Sequence, residues 1–282
     1  MAEKCNSLAL ERWRSTIPIC FILSDSSIGS SEIPFPFFIQ AQRCSYLSVA
    51  SRNALEVFLK SMPECVQHPF FESNGLILNE DVPVGCLHDF IHQNMCCALP
   101  WVITIRFSSV NSLEAQNSFP AKERFFSSVK QALTIMSGSA RKINILTKKA
   151  RDEFWDTVLG ARNQNLQLFW DEDSLFNIKT CPLRILHCVS CTDHPECHSR
   201  IKYRQCAAVG CNALDEIGTN LNYLCLSRHS DFVSNIFLRC LRCGNDPNFD
   251  LSKSLKSILY PDGFLYLGDM KSLSVTKTLK NK

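Results

Sequence analysis

Two Cys-x-x-Cys pairs are the residues of this sequence whose types and spacing are most typical of metal ligands. The first pair, Cys188 and Cys191, lies in "HCVSCTDHPECHSR", and the second, Cys240 and Cys243, lies in "RCLRCG". Four thiolates form a tetrahedral zinc site in many small structural modules. In those modules about 15 to 20 residues separate the two pairs, whereas nearly fifty residues separate them here. The spacing alone therefore does not establish a shared site.

A local metal site in the loop after the first pair is geometrically easier. Its ligands would be Cys188, Cys191, Cys197 and His198, with His194 as an alternative to Cys197. Such a site would make this a zinc- or thiol-dependent protein, and the alternative is a loop with reduced thiols. No protease signature surrounds any of these cysteines, so a catalytic Cys–His pair is not indicated. We predict no metal and no cofactor, and the loop site remains the competing hypothesis.

The composition argues against nucleic-acid binding and for a cytoplasmic protein. The chain has 282 residues and a net charge of +3, and no basic run is interleaved with aromatic residues as a phosphate-binding surface requires. The N-terminus lacks a basic-then-apolar signal pattern, and no apolar run approaches the roughly 18 residues that span a bilayer. We therefore expect the 16 cysteines to be mostly reduced and mostly small core residues.

The N-terminal and C-terminal parts show the same order of elements. β-rich runs predict strands from Ile17 to Leu23 and from Phe35 to Gln40. A helix at "SRNALEVFLKSM", a strand at "GLILN", a short helix at "GCLHDFIHQ" and a strand from Trp101 to Phe107 follow. The C-terminal part repeats this order, with strands at "PLRILHCV", "RIKYRQCAAV", "SNIFLRCL" and "GFLYLGDM". Two copies of one order suggest two domains of one fold.

This order is typical of a mixed sheet crossed by one helix, as in the β-grasp fold. The last strand is then parallel to the first, and the strand beside the last is antiparallel to it. Cys188 and Cys240 would end strands that point in opposite directions. At about 3.3 Å per residue, an offset of several residues puts the two cysteine pairs on the order of 10 Å apart. Zn–S bonds of about 2.3 Å cannot bridge that distance.

The segment between the two parts has helical periodicity. "AKERFFSSVKQALTIMSG" places Phe125, Val129 and Leu133 on one apolar stripe, and Gly138 is a natural C-terminal stop. The opposite face is polar and carries Ser127, Lys130, Gln131 and Thr134. "ARKINILTKKARDEFWDTVLGAR" predicts one continuous second helix that ends at Gly160.

Two further patterns concern histidines and tryptophans. His88 and His92 share a helix face at i and i+4, but the Glu of a zinc-protease motif is missing between them. We interpret them as a polar helix face. Trp101, Trp155 and Trp170 are predicted to be packing residues rather than ligand platforms.

Five motifs, taken in order, resemble the autophagy protein 5 family. They are "WRSTIPICFIL", "RCSYLSV", "ALPWVITIRF", "FFSSVKQALTIMSGSARKI" and "YPDGFLYL", which extend from Trp13 to Leu267. The resemblance implies an α+β fold with two ubiquitin-like (β-grasp) domains flanking a helix-rich domain. In this chain the three domains would occupy residues 10–110, 118–175 and 180–270.

The resemblance also implies a scaffold rather than an enzyme. Its conjugation acceptor would be Lys130, joined by an isopeptide bond to the C-terminal glycine of the ubiquitin-like autophagy protein 12. The conjugate would bind the coiled-coil autophagy protein 16, associate peripherally with the phagophore membrane and promote transfer of autophagy protein 8 to phosphatidylethanolamine. Noncovalent binding of the modifier is the remaining alternative within this family.

Overall fold

The structure, a computed structural model, divides the chain into two compact units. The first unit comprises Thr16–Arg124 and Val189–Ile201, and the second comprises Met1–Ser15, Phe125–Cys188 and Lys202–Lys282. The structure describes residues 15–24, 34–61, 69–95, 98–107, 120–159, 180–189, 199–209, 238–240 and 264–269. The three predicted domain spans stay a prediction.

A mixed sheet forms one layer of the first unit. Its strands are β1 (Thr16–Leu23), β2 (Phe37–Gln42), β3 (Pro69–Ser73), β4 (Leu76–Ile77) and β5 (Trp101–Phe107). They lie in the order β2-β1-β5-β3-β4. β1 is antiparallel to β2 and parallel to β5, and β3 is antiparallel to β5. The last strand of the unit therefore runs parallel to the first, as predicted from the element order.

The strand beside β5 is β3, which the predicted order lacks. That order places a strand at "GLILN", but the structure gives this stretch only the two residues of β4. Asn74 and Gly75 join β3 to β4 with φ values of 53° and 75°. A two-residue hairpin turn of this kind requires positive φ at both positions, which is why Asn-Gly is a strong hairpin signal. Pro69 starts β3, a position where the missing N–H is tolerated.

Helices pack with this sheet in the first unit. They are α1 (Leu47–Ala50), α2 (Arg52–Phe58), a 3-10 turn (Leu59–Ser61) and α3 (Val84–Met95). Residues 84–91 of α3 are all buried. Within this core, Arg43 forms an ion pair with Asp89, and its Nη2 also donates to the Gly85 carbonyl at 3.4 Å. A buried charge needs such a partner, so the pair holds α3 against the segment after β2.

The prediction that His88 and His92 form a polar helix face is wrong for His88. His88 is 9% exposed, and its ring lies edge-on to Trp101 with 5.4 Å between ring centroids. His92 is exposed and stacks on His88 at 5.3 Å. α3 is buried on nearly all sides along residues 84–91, so its i and i+4 positions do not share one solvent face. Trp101 is buried, as predicted for a packing residue.

Within residues 120–159, the described part of the helical segment, there are three helices: α4 (Ala121–Ser137), α5 (Arg141–Asn144) and α6 (Lys148–Leu159). The prediction of one continuous second helix is therefore wrong, because the helix is interrupted between α5 and α6. Thr147 Oγ1 accepts a hydrogen bond from the Ala150 amide at 3.2 Å, which starts α6. Arg151 Nη2 donates to the Ile143 and Asn144 carbonyls at 3.3 Å and satisfies the end of α5. Hydrogen bonds from side chains to the helix ends outweigh the continuous apolar periodicity here.

The C-terminal strands have the predicted directions. They are β6 (Thr180–Val189), β7 (Ser199–Val209), β8 (Leu238–Cys240) and β9 (Leu265–Asp269). β6 is parallel to β9, and β8 is antiparallel to β9 on its other side.

Candidate conjugation site

The helix α4 carries Lys130 and has two distinct faces. Its buried side chains are Phe125, Phe126, Ser128, Val129, Ala132 and Leu133. The predicted polar face is confirmed, since Ser127, Lys130, Gln131 and Thr134 are exposed. Burial of the apolar face therefore directs Lys130 toward solvent.

Aromatic rings hold the buried face of α4 against α6. The Phe125 ring centroid lies 5.4 Å from that of Phe154 and 5.3 Å from that of Trp155. Phe126 also contacts Phe154, at 6.0 Å. These distances lie in the range that favours edge-to-face and offset aromatic pairs. Trp155 is thus a packing residue, as predicted, and Trp170 lies outside the described residues.

Both ends of α4 are defined by local chemistry. At its start, the Arg124 amide donates to the Pro120 carbonyl at 3.1 Å. At its end, the Gly138 amide donates to the Thr134 carbonyl at 2.9 Å. Gly138 has a φ of 74°, which is the left-handed conformation that commonly ends a helix. Gly138 therefore stops the helix, as the sequence predicts, and Lys130 lies well inside it.

On the exposed face of α4, the residues within one helical turn of Lys130 are polar and uncharged. Ser127, Gln131 and Thr134 share its exposed face, and Thr134 Oγ1 donates to the Lys130 carbonyl at 2.8 Å. No carboxylate among the described residues forms an ion pair with the Lys130 ammonium. In contrast, Lys149 Nζ lies 3.9 Å from Glu153 Oε1. The Lys130 amine is therefore exposed to solvent, and no described carboxylate holds it in an ion pair.

Behind Lys130, the buried side of α4 is joined to β6 by Arg184. Arg184 Nη2 lies 3.0 Å from Ser128 Oγ and 3.5 Å from Gln131 Oε1, so it donates to both. Arg184 itself is 1% exposed. This residue is missing from the site residues predicted from sequence. The available signal was one basic residue inside the apolar strand "PLRILHCV", because an arginine is almost never fully buried unless it is paired.

The two cysteine pairs begin on strands that flank β9. Leu186 of β6 pairs with Gly268, and Cys240 of β8 pairs with Leu267. Cys188 lies two residues beyond Leu186, so three positions along β9 separate it from Cys240. At about 3.3 Å per residue and about 4.8 Å per strand spacing, this register places their backbones roughly 14 Å apart. Thiolates at that separation do not bind one zinc ion.

The remaining ligands of the loop hypothesis lie outside the described residues. They are Cys191, His194, Cys197 and His198, together with Cys243 of the second pair. Within the described residues, no three His, Cys, Asp or Glu side chains cluster as metal ligands. The local loop site therefore stays a hypothesis.

The Cys188 thiol has an environment that disfavours its reactive form. The side chain is half-buried, and burial raises the pKa of this thiol to about 11. The thiolate is the nucleophile and the metal ligand. Cys188 is thus almost entirely a neutral thiol near pH 7. Burial similarly raises the pKa of the Cys20 thiol.

Two family models match the chain and together cover just over half of it. The autophagy protein ATG5 UblA domain matches residues 12–107, and the alpha-helical bundle region of the same protein matches residues 121–174. The chain belongs to the autophagy protein 5 family. Lys130 and all of α4 lie in the matched helical region. None of the helices described in the structure is both long and apolar enough to cross a membrane.

Individual relatives agree with this family. Autophagy protein 5 of Drosophila melanogaster is 27% identical over 185 residues, which cover 61% of this chain and 67% of that protein. Autophagy protein 5 of Arabidopsis thaliana is 25% identical over 155 residues, which cover 53% of this chain and 44% of that protein. The match thus spans less than half of the plant protein's length.

The fold agrees with a solved structure of the family. The crystal structure of Kluyveromyces marxianus Atg5 superimposes with a TM-score of 0.64 at 18% identity, covering 93% of this chain and 99% of that one. The fold class predicted from the sequence is therefore confirmed as α+β, with ubiquitin-like domains flanking a helical region.

Proposed function

We propose that this protein is a non-enzymatic autophagy scaffold and that Lys130 is the lysine to which a ubiquitin-like modifier is conjugated. The observation that carries the proposal is the position of Lys130: it is exposed in the middle of α4, in the helical region that matches the family. By family resemblance the modifier is autophagy protein 12. The conjugate then acts with the coiled-coil autophagy protein 16 at the phagophore membrane, where it promotes lipidation of autophagy protein 8.

The reaction at Lys130 is an acyl transfer from a thioester. The Lys130 amine, after losing one proton to a base of the carrier enzyme, attacks the thioester carbonyl of the modifier's C-terminal glycine. The C–N bond forms, the C–S bond breaks, and the carrier cysteine leaves as a thiolate, which takes up the second proton that the nitrogen releases as the amide forms. An exposed ammonium is a poor nucleophile by itself, so the carrier enzymes supply the base and this chain supplies the position of the amine.

The uncharged face around Lys130 suits this role. A carboxylate one helical turn away would stabilise the ammonium and oppose its deprotonation. Ser127 and Thr134 occupy the positions three residues before and four residues after Lys130 instead. These side chains add no negative charge within one helical turn of the Lys130 amine.

The test compares two lysine variants in the native cell. We expect an epitope-tagged wild-type chain to give a heavier band, and mass spectrometry of that band to show a branched peptide at Lys130. Lys130→Arg abolishes the band because the arginine guanidinium does not lose a proton to become a nucleophile. Lys149→Arg is the matched control, since it changes an exposed lysine on α6 and retains the charge beside Glu153.

Two other outcomes would change the proposal. A heavier band that persists in Lys130→Arg would show that another lysine is the acceptor. If no variant forms a heavier band but the modifier co-precipitates with all of them, the chain binds its modifier noncovalently.

A further inference from the structure

Arg184 occupies a position that hydrophobic packing alone does not explain. It lies in the middle of β6, paired with Tyr266 of β9, and is one of the largest fully buried side chains described. Burying an arginine is costly unless hydrogen bonds and favourable contacts replace water. Its contacts therefore indicate what the residue does.

Aromatic rings surround the Arg184 guanidinium. Its central carbon lies 3.9 Å from the Phe264 ring centroid, 4.6 Å from that of Tyr203 and 5.9 Å from that of Tyr266. Cations within about 6 Å of a ring centroid are attracted to its face. Nη1 also donates to the Tyr266 hydroxyl at 3.0 Å. These contacts fix the guanidinium plane relative to β9.

From this fixed position Arg184 reaches the turn of α4 that carries Lys130. Its Nη2 donates to Ser128 Oγ at 3.0 Å and to Gln131 Oε1 at 3.5 Å. Ser128 and Gln131 are i and i+3 neighbours on one helix face, on either side of Lys130 in the sequence. Gln131 lies at the edge of the exposed face: at about 100° per residue, Lys130 points about 160° away from Ser128 and about 100° away from Gln131. Arg184 therefore contacts the helical turn that carries Lys130 through Ser128 and Gln131, and it does not contact the Lys130 amine.

The hydrogen bonds from Arg184 fix the rotation of α4 about its own axis more sharply than the packing of its apolar face does. Hydrogen bonds weaken steeply when the donor angle changes, whereas apolar contacts are non-directional. A rotation of α4 about its axis would break the bonds to Ser128 and Gln131 and would move the Lys130 amine. A misplacement of about 1 Å in a group-transfer reaction can lower the rate about a hundredfold.

We propose that Arg184 is a positioning residue for conjugation at Lys130, acting through Ser128 and Gln131 of α4. This inference rests on the proposed acceptor role of Lys130. Two serines of α4 supply a matched pair of variants: Ser128 is buried and bonded to Arg184, whereas Ser137, at the end of the helix, is exposed and donates to the Leu133 carbonyl at 2.9 Å.

The test is a conjugation reaction reconstituted from the activating enzyme, the carrier enzyme, the ubiquitin-like modifier and the full chain. We expect Ser128→Ala to lower kcat for Lys130 about tenfold, with KM for the chain nearly unchanged, because binding is retained while the amine is misplaced. Ser137→Ala is expected to match the wild type, because it removes a serine hydroxyl from the same helix that is bonded to the Leu133 carbonyl rather than to Arg184. Both variants are assayed at a temperature where circular dichroism shows them folded, so a loss of folded chain does not imitate the effect.

Arg184→Lys provides an independent variant, because lysine keeps the charge but lacks the planar fork. We expect it to slow conjugation, and the double variant Arg184→Lys/Ser128→Ala to be no slower than Arg184→Lys alone, since both changes break one connection. Equal kcat for Ser128→Ala and Ser137→Ala, or additive losses in the double variant, would overturn the positioning role. A wild-type chain that forms no conjugate at Lys130 would overturn the proposed function and this inference together.

Discussion

At the scale of single residues, exposure decides which candidate group is available for chemistry. Lys130 is exposed on the polar face of α4, so its amine is accessible from solvent. Cys188 is half-buried at the end of β6, and its surroundings raise the pKa of the thiol to about 11. The first cysteine of the two Cys-x-x-Cys pairs is therefore almost entirely in its unreactive, neutral form near pH 7.

Alkylation of Cys188 should show this raised pKa. Only the thiolate reacts, so the rate of iodoacetamide labelling at Cys188 should keep rising with pH until about pH 11, rather than level off near the ordinary value of 9.0. Peptide mass spectrometry at each pH follows this one cysteine. The control is the same chain in urea, where the rate should level off near pH 9. A folded chain that already levels off there would show an exposed thiol and favour thiol chemistry.

At the scale of elements, sequence periodicity predicted α4 well and the following segment poorly. The buried stripe, the polar face and the stop at Gly138 all follow from local spacing and residue type. The break between α5 and α6 does not, since apolar residues continue at helical spacing across it. Thr147 and Arg151 decide the break by bonding backbone groups at the two helix ends. The spacing of apolar residues carries no information about hydrogen bonds between side chains and the backbone, so it does not predict this interruption.

Gly138→Ala should test how α4 ends. The φ of 74° at this position is unfavourable for any residue with a Cβ, although a Cβ there would meet no atom within 4 Å. We therefore expect a loss of about 1 kcal/mol in unfolding free energy from backbone conformation alone. Urea unfolding measures it, and Gly138→Asn is the control, because asparagine tolerates this conformation better. An alanine variant as stable as the wild type would show that α4 does not need a left-handed residue at its end.

At the scale of the whole molecule, topology separates residues that the sequence groups as one motif. β6 and β8 lie on opposite sides of β9 and run in opposite directions, so Cys188 and Cys240 are held apart by the register of the sheet. The same pairing of β6 with β9 brings Arg184 next to Tyr266. One set of strand pairings thus disfavours a shared zinc site and also places Arg184 where it bonds Ser128 of α4.

Metal removal tests the competing hypothesis for the whole chain. We expect a chelator to leave the Tm and the conjugation rate unchanged, and zinc in the purified protein to be well below one ion per chain, because the two Cys-x-x-Cys pairs cannot share an ion. A lower Tm after chelation would instead support the loop site. In that case Cys188→Ser should remove the effect and Cys240→Ser should retain it, since only Cys188 belongs to the loop ligands.

The sequence by itself determined the elements whose signals are local. Strands β1 and β5, helix α4 with its stop, the exposed face of Lys130 and the family all follow from spacing, residue type and ordered motifs. Tertiary structure decided that β3 lies beside β5, that Arg184 reaches Ser128, and that Cys188 and Cys240 lie apart. These features depend on contacts between residues far apart in the chain, and local periodicity carries no information about which distant segments pair.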